Sequence, residues 1–391
     1  MTDADIAGTQ IDTERLERNK RIAWEHFRAL AEGRLEDCLA LVDGSGVFWR
    51  NAAFEGRRPS VSLQVWKDEV TAMIERRVPI PWQAEHVHLI TLLAEGDQVV
   101  LEIHNDSPPY HEGRRNESYD MVYLFVVEIR DGIIVGIREY PDGFLMASML
   151  ADGTAPEQGA AWWDLKAREN APRYRLPDGV CESCGKTHAD RVPAISGSSP
   201  GQLRAQRNKQ IAWEHFRAVD EGRLDDALAL LHTDGAFWGG ARIGDSPRSA
   251  SSIESWRREM TDIVKQLLPM PWTGRAHLIN TVAQGDQVML EIHNTAPLHA
   301  HFPPQGEYDM IYAWVLTIRD GKILDIREYP DGIYGVSILA QFFPGAEGTV
   351  SPTSMLGELP FYDPPRGSCG NCGKIHQHEI EPFLAEHLLK I

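Results

Sequence analysis

Two acid–base side chains flank a polar loop in each half of the 391-residue chain. His104 and Asp120 lie on either side of the first loop, and His293 and Asp309 lie on either side of the second. Burial in an apolar pocket raises the pKa of a carboxyl group, which suits it to moving protons near neutral pH. We therefore take these four side chains as candidate catalytic residues. A structural role is the alternative: the histidines would end a strand and the carboxylates would bond to nearby backbone or arginine.

Four of the five cysteines fall into two Cys-x-x-Cys-Gly motifs, each followed by a histidine. The motif is typical of a zinc knuckle, because the glycine permits a turn and the spacing places both thiolates on one tetrahedral ion. Either the four cysteines share one zinc, or each motif binds its own ion with its histidine and a fourth ligand. We expect the zinc to be structural and expect no organic cofactor. The predicted metal ligands are Cys181, Cys184, His188, Cys369, Cys372 and His376.

Both sets of candidates occur twice because the chain repeats itself at an offset of 189 residues (213 − 24). Trp24–Phe27 recurs as Trp213–Phe216, and Tyr119–Met121 recurs as Tyr308–Met310. Such self-similarity over most of each half indicates duplication of a whole domain. The predicted organisation is a disordered N-terminus at 1–14, a domain at 15–150, a Cys-bearing arm at 151–190, a linker at 191–203, a second domain at 204–340 and a second arm at 341–391.

The elements that position these residues follow from apolar periodicity. In the first half we predict a helix ended by Gly33, a second short helix, a short strand at Gly46–Trp49 and a third helix at 60–77. Alternating apolar runs then predict a meander, with an Asp-Gly turn before its last strand. Three helices covering one face of a curved antiparallel sheet make an α+β fold. The predicted strands are Gln83–Ala94, Gln98–Asn105, Glu117–Arg130 and Ile133–Tyr140.

This order of elements, with the ending Ile137–Tyr140, resembles the nuclear-transport-factor-2-like (NTF2-like) superfamily, and within it the SnoaL-like polyketide cyclases and ketosteroid isomerases. The resemblance covers about Arg15–Leu150 and Arg204–Leu339. It implies a cone-shaped cavity between helices and sheet in each domain. It also implies pairing through the sheets, which two tandem copies could satisfy within one chain by a pseudo-twofold arrangement. A further homodimer is left open.

The resemblance also implies roles for individual residues. In SnoaL-like cyclases an Asp acts as the general acid/base and a His lies on the preceding strand, which matches Asp120 with His104 and Asp309 with His293. Asp would shuttle the proton while His orients the substrate or stabilises an enolate. The isomerase mechanism is disfavoured, because neither Phe48–Asn51 nor Phe237–Gly240 contains the expected carboxylate. The residues expected to bind substrate are Trp49, Tyr123, Trp238, Tyr312, His26 and His215.

The expected function is acid/base chemistry, by cyclisation, isomerisation or hydrolysis, on a small hydrophobic metabolite. One alternative is a non-catalytic small-molecule-binding or scaffold protein. Another is a zinc-assisted hydrolase or lyase, if a Cys-Cys-His set leaves a coordination position open.

Composition and net charge argue against several classes of partner and location. The net charge of −18 and the lack of a basic stripe argue against nucleic acid and anionic membranes as partners. No apolar run approaches the roughly 20 residues of a membrane span. Residues 1–10 lack the pattern of a secretory signal, so we expect a cytoplasmic protein.

Overall fold

The computed structural model describes residues 3–50, 60–68, 71, 87–107, 119–141, 192, 199–239, 250–252, 275–297 and 307–331. Both cysteine arms therefore lie outside the described residues, as do residues 69–70 and 72–77 of the predicted third helix and most of its counterpart in the second half. No helix within these ranges is long and apolar enough to cross a membrane.

The first half follows the predicted order closely. Two helices precede six strands, and residues 63–68 are helical where the third helix was expected. Residues 60–62 pair as a strand, because their backbone continues the sheet before the helix begins. The elements are α1 (Asp3–Ala31), α2 (Leu35–Ala40), β1 (Val42–Arg50), β2 (Ser60–Ser62), β3 (Val87–Glu95), β4 (Gln98–Ser107), β5 (Tyr119–Arg130) and β6 (Ile133–Pro141).

The second half repeats this series. Its elements are α3 (Pro200–Asp220), α4 (Leu224–Ala229), β7 (Leu231–Gly239), β8 (Ala250–Ser252), β9 (Arg275–Gln284), β10 (Gln287–Pro297), β11 (Glu307–Arg319) and β12 (Lys322–Pro330).

Two boundaries differ from the sequence-based prediction. Helix α1 begins at Asp3, within the segment predicted to be disordered. Helix α3 begins at Pro200, within the predicted linker 191–203. Ser199 caps it: its hydroxyl accepts from the Gln202 N–H, and the Gln202 side chain accepts from the Ser199 N–H.

The turns that the sequence predicted are confirmed. Gly33 ends α1 with a φ of 71°, a left-handed conformation that glycine adopts without steric cost. Asp131 and Gly132 have φ values of 50° and 83°, the positive pair that a two-residue hairpin needs. This turn joins β5 to β6 and sets their register.

Each half forms one six-stranded sheet, in the orders β2-β1-β6-β5-β4-β3 and β8-β7-β12-β11-β10-β9. The four-stranded meander is antiparallel, as predicted. However, β1 lies parallel to β6, and β7 lies parallel to β12, so neither sheet is wholly antiparallel. The reason is that β1 and β7 enter the sheet after helices and not through a hairpin.

Both faces of each sheet are buried. One face packs against the helices, where the Phe27 ring of α1 contacts the Phe125 ring at a centroid distance of 4.1 Å. The other faces of the two sheets meet in a shared apolar core, which we call the inter-sheet core. Its members are Trp49, Ile90, Leu93, Val100, Val122, Leu124, Val126, Tyr140, Ile279, Val282, Met289, Ile311, Ala313, Val315 and Tyr329.

Candidate functional site

The second half brings the predicted histidine and aspartate together. His293 Nε2 lies 2.7 Å from Asp309 Oδ1, and the two residues are diagonal neighbours on β10 and β11, since His293 pairs with Ile311 and Asp309 with Thr295. His293 is only 4% exposed, whereas the Asp309 side chain is 36% exposed. A carboxylate that bonds one ring nitrogen fixes the orientation and tautomer of an imidazole. The pair therefore joins a buried ring to a carboxylate that solvent can reach.

A second histidine stands beside this pair. His277 lies opposite His293 in the β9–β10 register, with ring centroids 6.2 Å apart. Sequence reasoning did not select it. The repeat itself carries the signal, because His277 has a counterpart at His88 in the first half.

The first half has the same backbone arrangement. His104 is buried and pairs with His88 across β3 and β4, with ring centroids 5.9 Å apart. Asp120 lies on β5 opposite Asp106, the register position that Asp309 occupies in β11. The Asp120 side chain is outside the described residues.

The face on which these histidines lie corrects the sequence-based interpretation. On β4, Leu101 and Ile103 pack against the helix-facing core, whereas Val100 belongs to the inter-sheet core. Because successive strand residues point to opposite faces, His104 lies on the inter-sheet side with Val100. The same alternation puts His293 and Asp309 on the side of Met289 and Ile311. These residues therefore lie on the side of the sheet opposite the helix-covered cavity that the resemblance implies.

Trp49 also lies on the inter-sheet side and not in the cavity. It is 2% exposed within the inter-sheet core, with the Arg138 guanidinium 4.0 Å from its ring centroid and the Tyr140 ring at 5.4 Å. Its expected role as a pocket wall is wrong, because Trp49 pairs in register with Arg138 and shares its face. Trp238 pairs with Arg327 in the same way, although its side chain is outside the described residues.

The predicted tyrosines do lie on the helix-facing side. Tyr123 packs against the first helix-facing core and stacks on Phe125 at 5.5 Å. Tyr312 packs against the second and lies 5.5 Å from the Trp314 ring.

Polar groups that sequence reasoning missed share this side. Glu139 lies opposite Phe125 in register and is only 7% exposed. Asn294 follows Ile292 on the helix-facing side of β10, and its buried Oδ1 has no hydrogen-bond partner among the residues that the structure describes. The recurrence of Glu139 as Glu328, and of Asn105 as Asn294, was the signal available in the sequence.

His26 and His215 are fully buried between the first two helices of their halves. Their Nδ1 atoms lie 3.1 Å from the Cys38 carbonyl oxygen and 3.0 Å from the Ala227 carbonyl oxygen. Burial lowers the pKa of each ring to about 4, despite those backbone hydrogen bonds, so both are neutral at pH 7. His26 Nε2 has no partner within the described part of the chain, and the His26 and Trp66 ring centroids are 5.4 Å apart. Substrate binding by these histidines stays a prediction.

All six predicted zinc ligands lie outside the described residues. Within the described ranges, no group of three His, Cys, Asp or Glu side chains is placed to hold a metal. Cys38 is buried in α2, and burial raises the pKa of its thiol to about 12, as expected for an inert apolar cysteine.

The two halves share one strand order, with helices on one face of each sheet, so each half has an α+β fold. Residues 213–326 match the family model of the SnoaL-like domain, so the second half contains a SnoaL-like domain. A comparison with curated proteins finds no match to the chain.

Several solved structures are similar to about a third of this chain. IdmH from Streptomyces antibioticus, described as a candidate polyketide cyclase, is 20% identical over 34% of this chain and 97% of its own, with a TM-score of 0.30. An NTF2-like protein from Burkholderia xenovorans is 18% identical over 34% of this chain and 96% of its own, with a TM-score of 0.27. Bal32a, from a soil-derived mobile gene cassette, is 17% identical over 33% of this chain and 93% of its own, with a TM-score of 0.28.

Proposed function

We propose that the chain is an enzyme that moves protons on a small, hydrophobic, carbonyl-bearing metabolite. In this proposal Asp309 exchanges the proton with substrate and His293 positions its carboxylate. His104 and Asp120 would form the equivalent pair in the first half. Removing a proton next to a carbonyl is the step that cyclisation and isomerisation of such compounds share.

The observation that carries the proposal is the 2.7 Å contact between a buried imidazole and a partly exposed carboxylate. With His293 Nε2–H donating to Oδ1, the Asp309 carboxylate is held in one orientation before substrate arrives. Asp309 then takes a proton from the carbon next to the carbonyl, the electron pair moves onto the carbonyl oxygen, and the proton is returned at another atom. Fixing an acid/base group in this way contributes to rate by typically 10²–10⁴-fold.

Deuterium exchange tests this without knowledge of the natural product. Purified chain is incubated in D2O with a panel of cyclic ketones and β-diketones, and label next to the carbonyl is measured by NMR. We expect catalysed exchange in the wild type and a loss of about 100-fold or more in Asp120→Asn/Asp309→Asn. Asp226→Asn removes an exposed carboxylate that pairs with Arg223 and should leave exchange unchanged. Wild-type exchange rates in the double variant would refute the assignment.

The second candidate function is non-catalytic binding of a small molecule on the helix-facing side. The supporting observation is that each half has a buried acceptor atom without a partner among the described residues, His26 Nε2 in the first half and Asn294 Oδ1 in the second. A ligand with an O–H or N–H group on an apolar ring would suit such a surface.

Fluorescence titration with 1-naphthol, and with naphthalene as the matched compound lacking the donor, tests this candidate. Binding of 1-naphthol that is weakened by Asn294→Leu, and not by Asp309→Asn, would favour the binding function. Equal affinity for both compounds would count against it.

We also propose that the cysteine arms bind structural zinc, on the basis of the motif spacing alone. Metal analysis of the purified chain would give one ion per chain for a shared four-cysteine site and two for separate sites. Cys181→Ser should abolish the single shared ion but remove only one of two separate ions. A chain purified without chelators that holds no zinc would contradict both arrangements.

A further inference from the structure

The inter-sheet core encloses two buried ion clusters, each built from both halves of the chain. In one, the Glu291 carboxylate accepts from Arg138 Nε at 2.5 Å, from Asn280 Nδ2 at 2.9 Å and from the Tyr140 hydroxyl. Glu291 and Asn280 belong to the second half, whereas Arg138 and Tyr140 belong to the first. The buried carboxylate of one half is therefore neutralised by the arginine of the other.

The second cluster is the reciprocal of the first. Glu102 of the first half accepts from Arg327 Nε at 2.6 Å and from the Tyr329 hydroxyl at 2.7 Å. Arg327 Nη2 also donates to Thr91 Oγ1 at 3.1 Å. Glu, Arg and Tyr recur at the same positions in both repeats, so the Glu–Arg and Glu–Tyr contacts are available to any pair of halves. Arg327 also forms an ion pair with Asp325 of its own half, where the first half has Gly136.

A third contact, at the edge strands, is symmetric in shape but not in charge. Glu95 Oε2 accepts from the Ala283 N–H at 2.8 Å, and Gln284 Oε1 accepts from the Ala94 N–H at 3.0 Å. Glu95 and Gln284 are equivalent positions in the repeat. Each side chain satisfies a backbone donor on the opposite edge strand, yet only Glu95 carries a charge.

The two equivalent lysines next to this edge also differ in their partners. Lys209, whose side chain is only 3% exposed, forms an ion pair with Glu95 Oε1 of the other half at 2.6 Å. Its counterpart Lys20 instead pairs with Glu17 of its own helix at 2.9 Å. The position equivalent to Glu17 in the second half is Gln206. Lys209 therefore has no equivalent of Glu17 in its own half. It pairs instead with Glu95 of the other half.

We propose that the Glu95–Lys209 ion pair makes the second half select the first half, and not another second half, as its partner. When unlike halves pair, each lysine has one carboxylate: Glu17 for Lys20 and Glu95 for Lys209. A pair of second halves would bury Lys209 between Gln206 and Gln284 with no carboxylate at either position. A buried charge without a partner is strongly unfavourable, so like-with-like association of two chains is disfavoured.

The first test isolates the ion pair in the full chain. Glu95→Gln keeps an acceptor for the Ala283 N–H, as Gln284 does for Ala94, but removes the charge that faces Lys209. We expect its urea midpoint to fall by on the order of 1 M. Adding Gln206→Glu supplies the local acid that Lys20 has and should restore most of that loss. An unchanged midpoint in Glu95→Gln would overturn the proposal.

The second test inverts the selectivity without changing composition. In Glu95→Gln/Gln284→Glu the carboxylate moves across the interface, so Lys209 meets an acid only when two second halves pair. We expect light scattering to give twice the wild-type molar mass at equal concentration, because two chains must join to pair like halves. Wild-type mass for a folded variant, as judged by circular dichroism, would overturn the proposal. The variant Glu95→Gln/Gln206→Glu, which has a local acid for Lys209, is the control and should keep the wild-type mass.

Discussion

At the scale of single residues, the same side-chain type takes different roles according to its burial and partner. His293 faces a partly exposed carboxylate, whereas His26 and His215 are fully enclosed and bonded to backbone carbonyls. Only the first environment offers a proton a route to solvent. The second environment keeps the histidines neutral in the folded chain, so acid should favour unfolding through their protonation.

Acid should destabilise the fold through these two histidines. Burial lowers the pKa of His26 and of His215 from 6.5 to about 4, so the unfolded chain binds their protons first as pH falls. Their contribution to the free energy of unfolding is complete above pH 6.5 and is lost between pH 6.5 and 4, at about 1.4 kcal/mol per pH unit for each group. Urea unfolding across that window measures it. His26→Asn/His215→Asn keeps a donor at the Nδ1 position for each carbonyl and should have a flatter profile; identical slopes would contradict the assignment.

Removing one partner of a buried cluster should cost more than removing both. Burial would raise the pKa of Glu291, but the Arg138 charge and the hydrogen bonds of Tyr140 and Asn280 outweigh it and hold the pKa low. Arg138→Met therefore leaves a buried carboxylate ionised without its cation. We expect a loss of about 3–5 kcal/mol, and a smaller loss in Arg138→Met/Glu291→Met.

Arg130→Met is the matched control for that prediction. Arg130 pairs with Glu128 at 2.5 Å, but the two side chains are 65% and 26% exposed. Such a surface pair contributes about 1 kcal/mol or less. Equal losses of unfolding free energy in Arg130→Met and Arg138→Met, measured with urea, would show that the buried cluster stabilises the fold no more than a surface ion pair does.

At the scale of elements, the parallel joint between β1 and β6 depends on a glycine. The register of β1 shifts between Val42 and Val47, and Gly46 lies within that irregularity. A Cβ on Gly46 would lie 2.3 Å from the Val135 carbonyl oxygen and 2.6 Å from Leu63 Cδ1. The backbone oxygen belongs to β6, so relief would require moving the strand.

Gly46→Ala should therefore destabilise the first half, by about 1–3 kcal/mol. Gly201→Ala, in the first turn of α3, is the matched control, since nothing lies within 4 Å of its added Cβ. That change should be neutral or slightly stabilising, by up to about 1 kcal/mol. Thermal unfolding of the two variants compares them directly. Equal melting temperatures would show that the joint can move.

At the scale of the whole molecule, the two halves share one apolar core. Its members come from both sheets, and buried hydrogen bonds join residues 153 and 225 positions apart. Neither half encloses that core alone. Unfolding of one half would expose the inter-sheet face of the other.

The halves should consequently stay together when the chain between them is cut. A protease site placed within 193–198 and cleaved under native conditions should give two fragments that co-elute in gel filtration. They should separate in 6 M urea, which weakens apolar burial and thereby exposes the shared core to solvent. Separate elution without denaturant would contradict the shared core. Uncut protein carrying the same site is the control.

Sequence reasoning predicted the parts of this molecule that local patterns encode. The first two helices, the glycine that ends α1, the Asp-Gly turn and the strands of the meander were predicted because each depends on residues close in the chain. The repeat was predicted because the sequence itself recurs at a fixed offset. The parallel strands β1 and β7 were not, since their partners lie far along the chain. The cysteine arms stay a prediction from their spacing alone.

Which face of the sheet each strand residue occupies was decided only by tertiary structure. Alternation usually reveals facing, because one side of a strand is polar. Here the runs Val99–Leu101 and Val122–Val127 are apolar on both sides, since one face packs on helices and the other on the second sheet. The sequence by itself therefore determined the strands and their polar residues. Packing of two like halves placed His293 and Asp309 on the inter-sheet side and Glu139 beneath the helices.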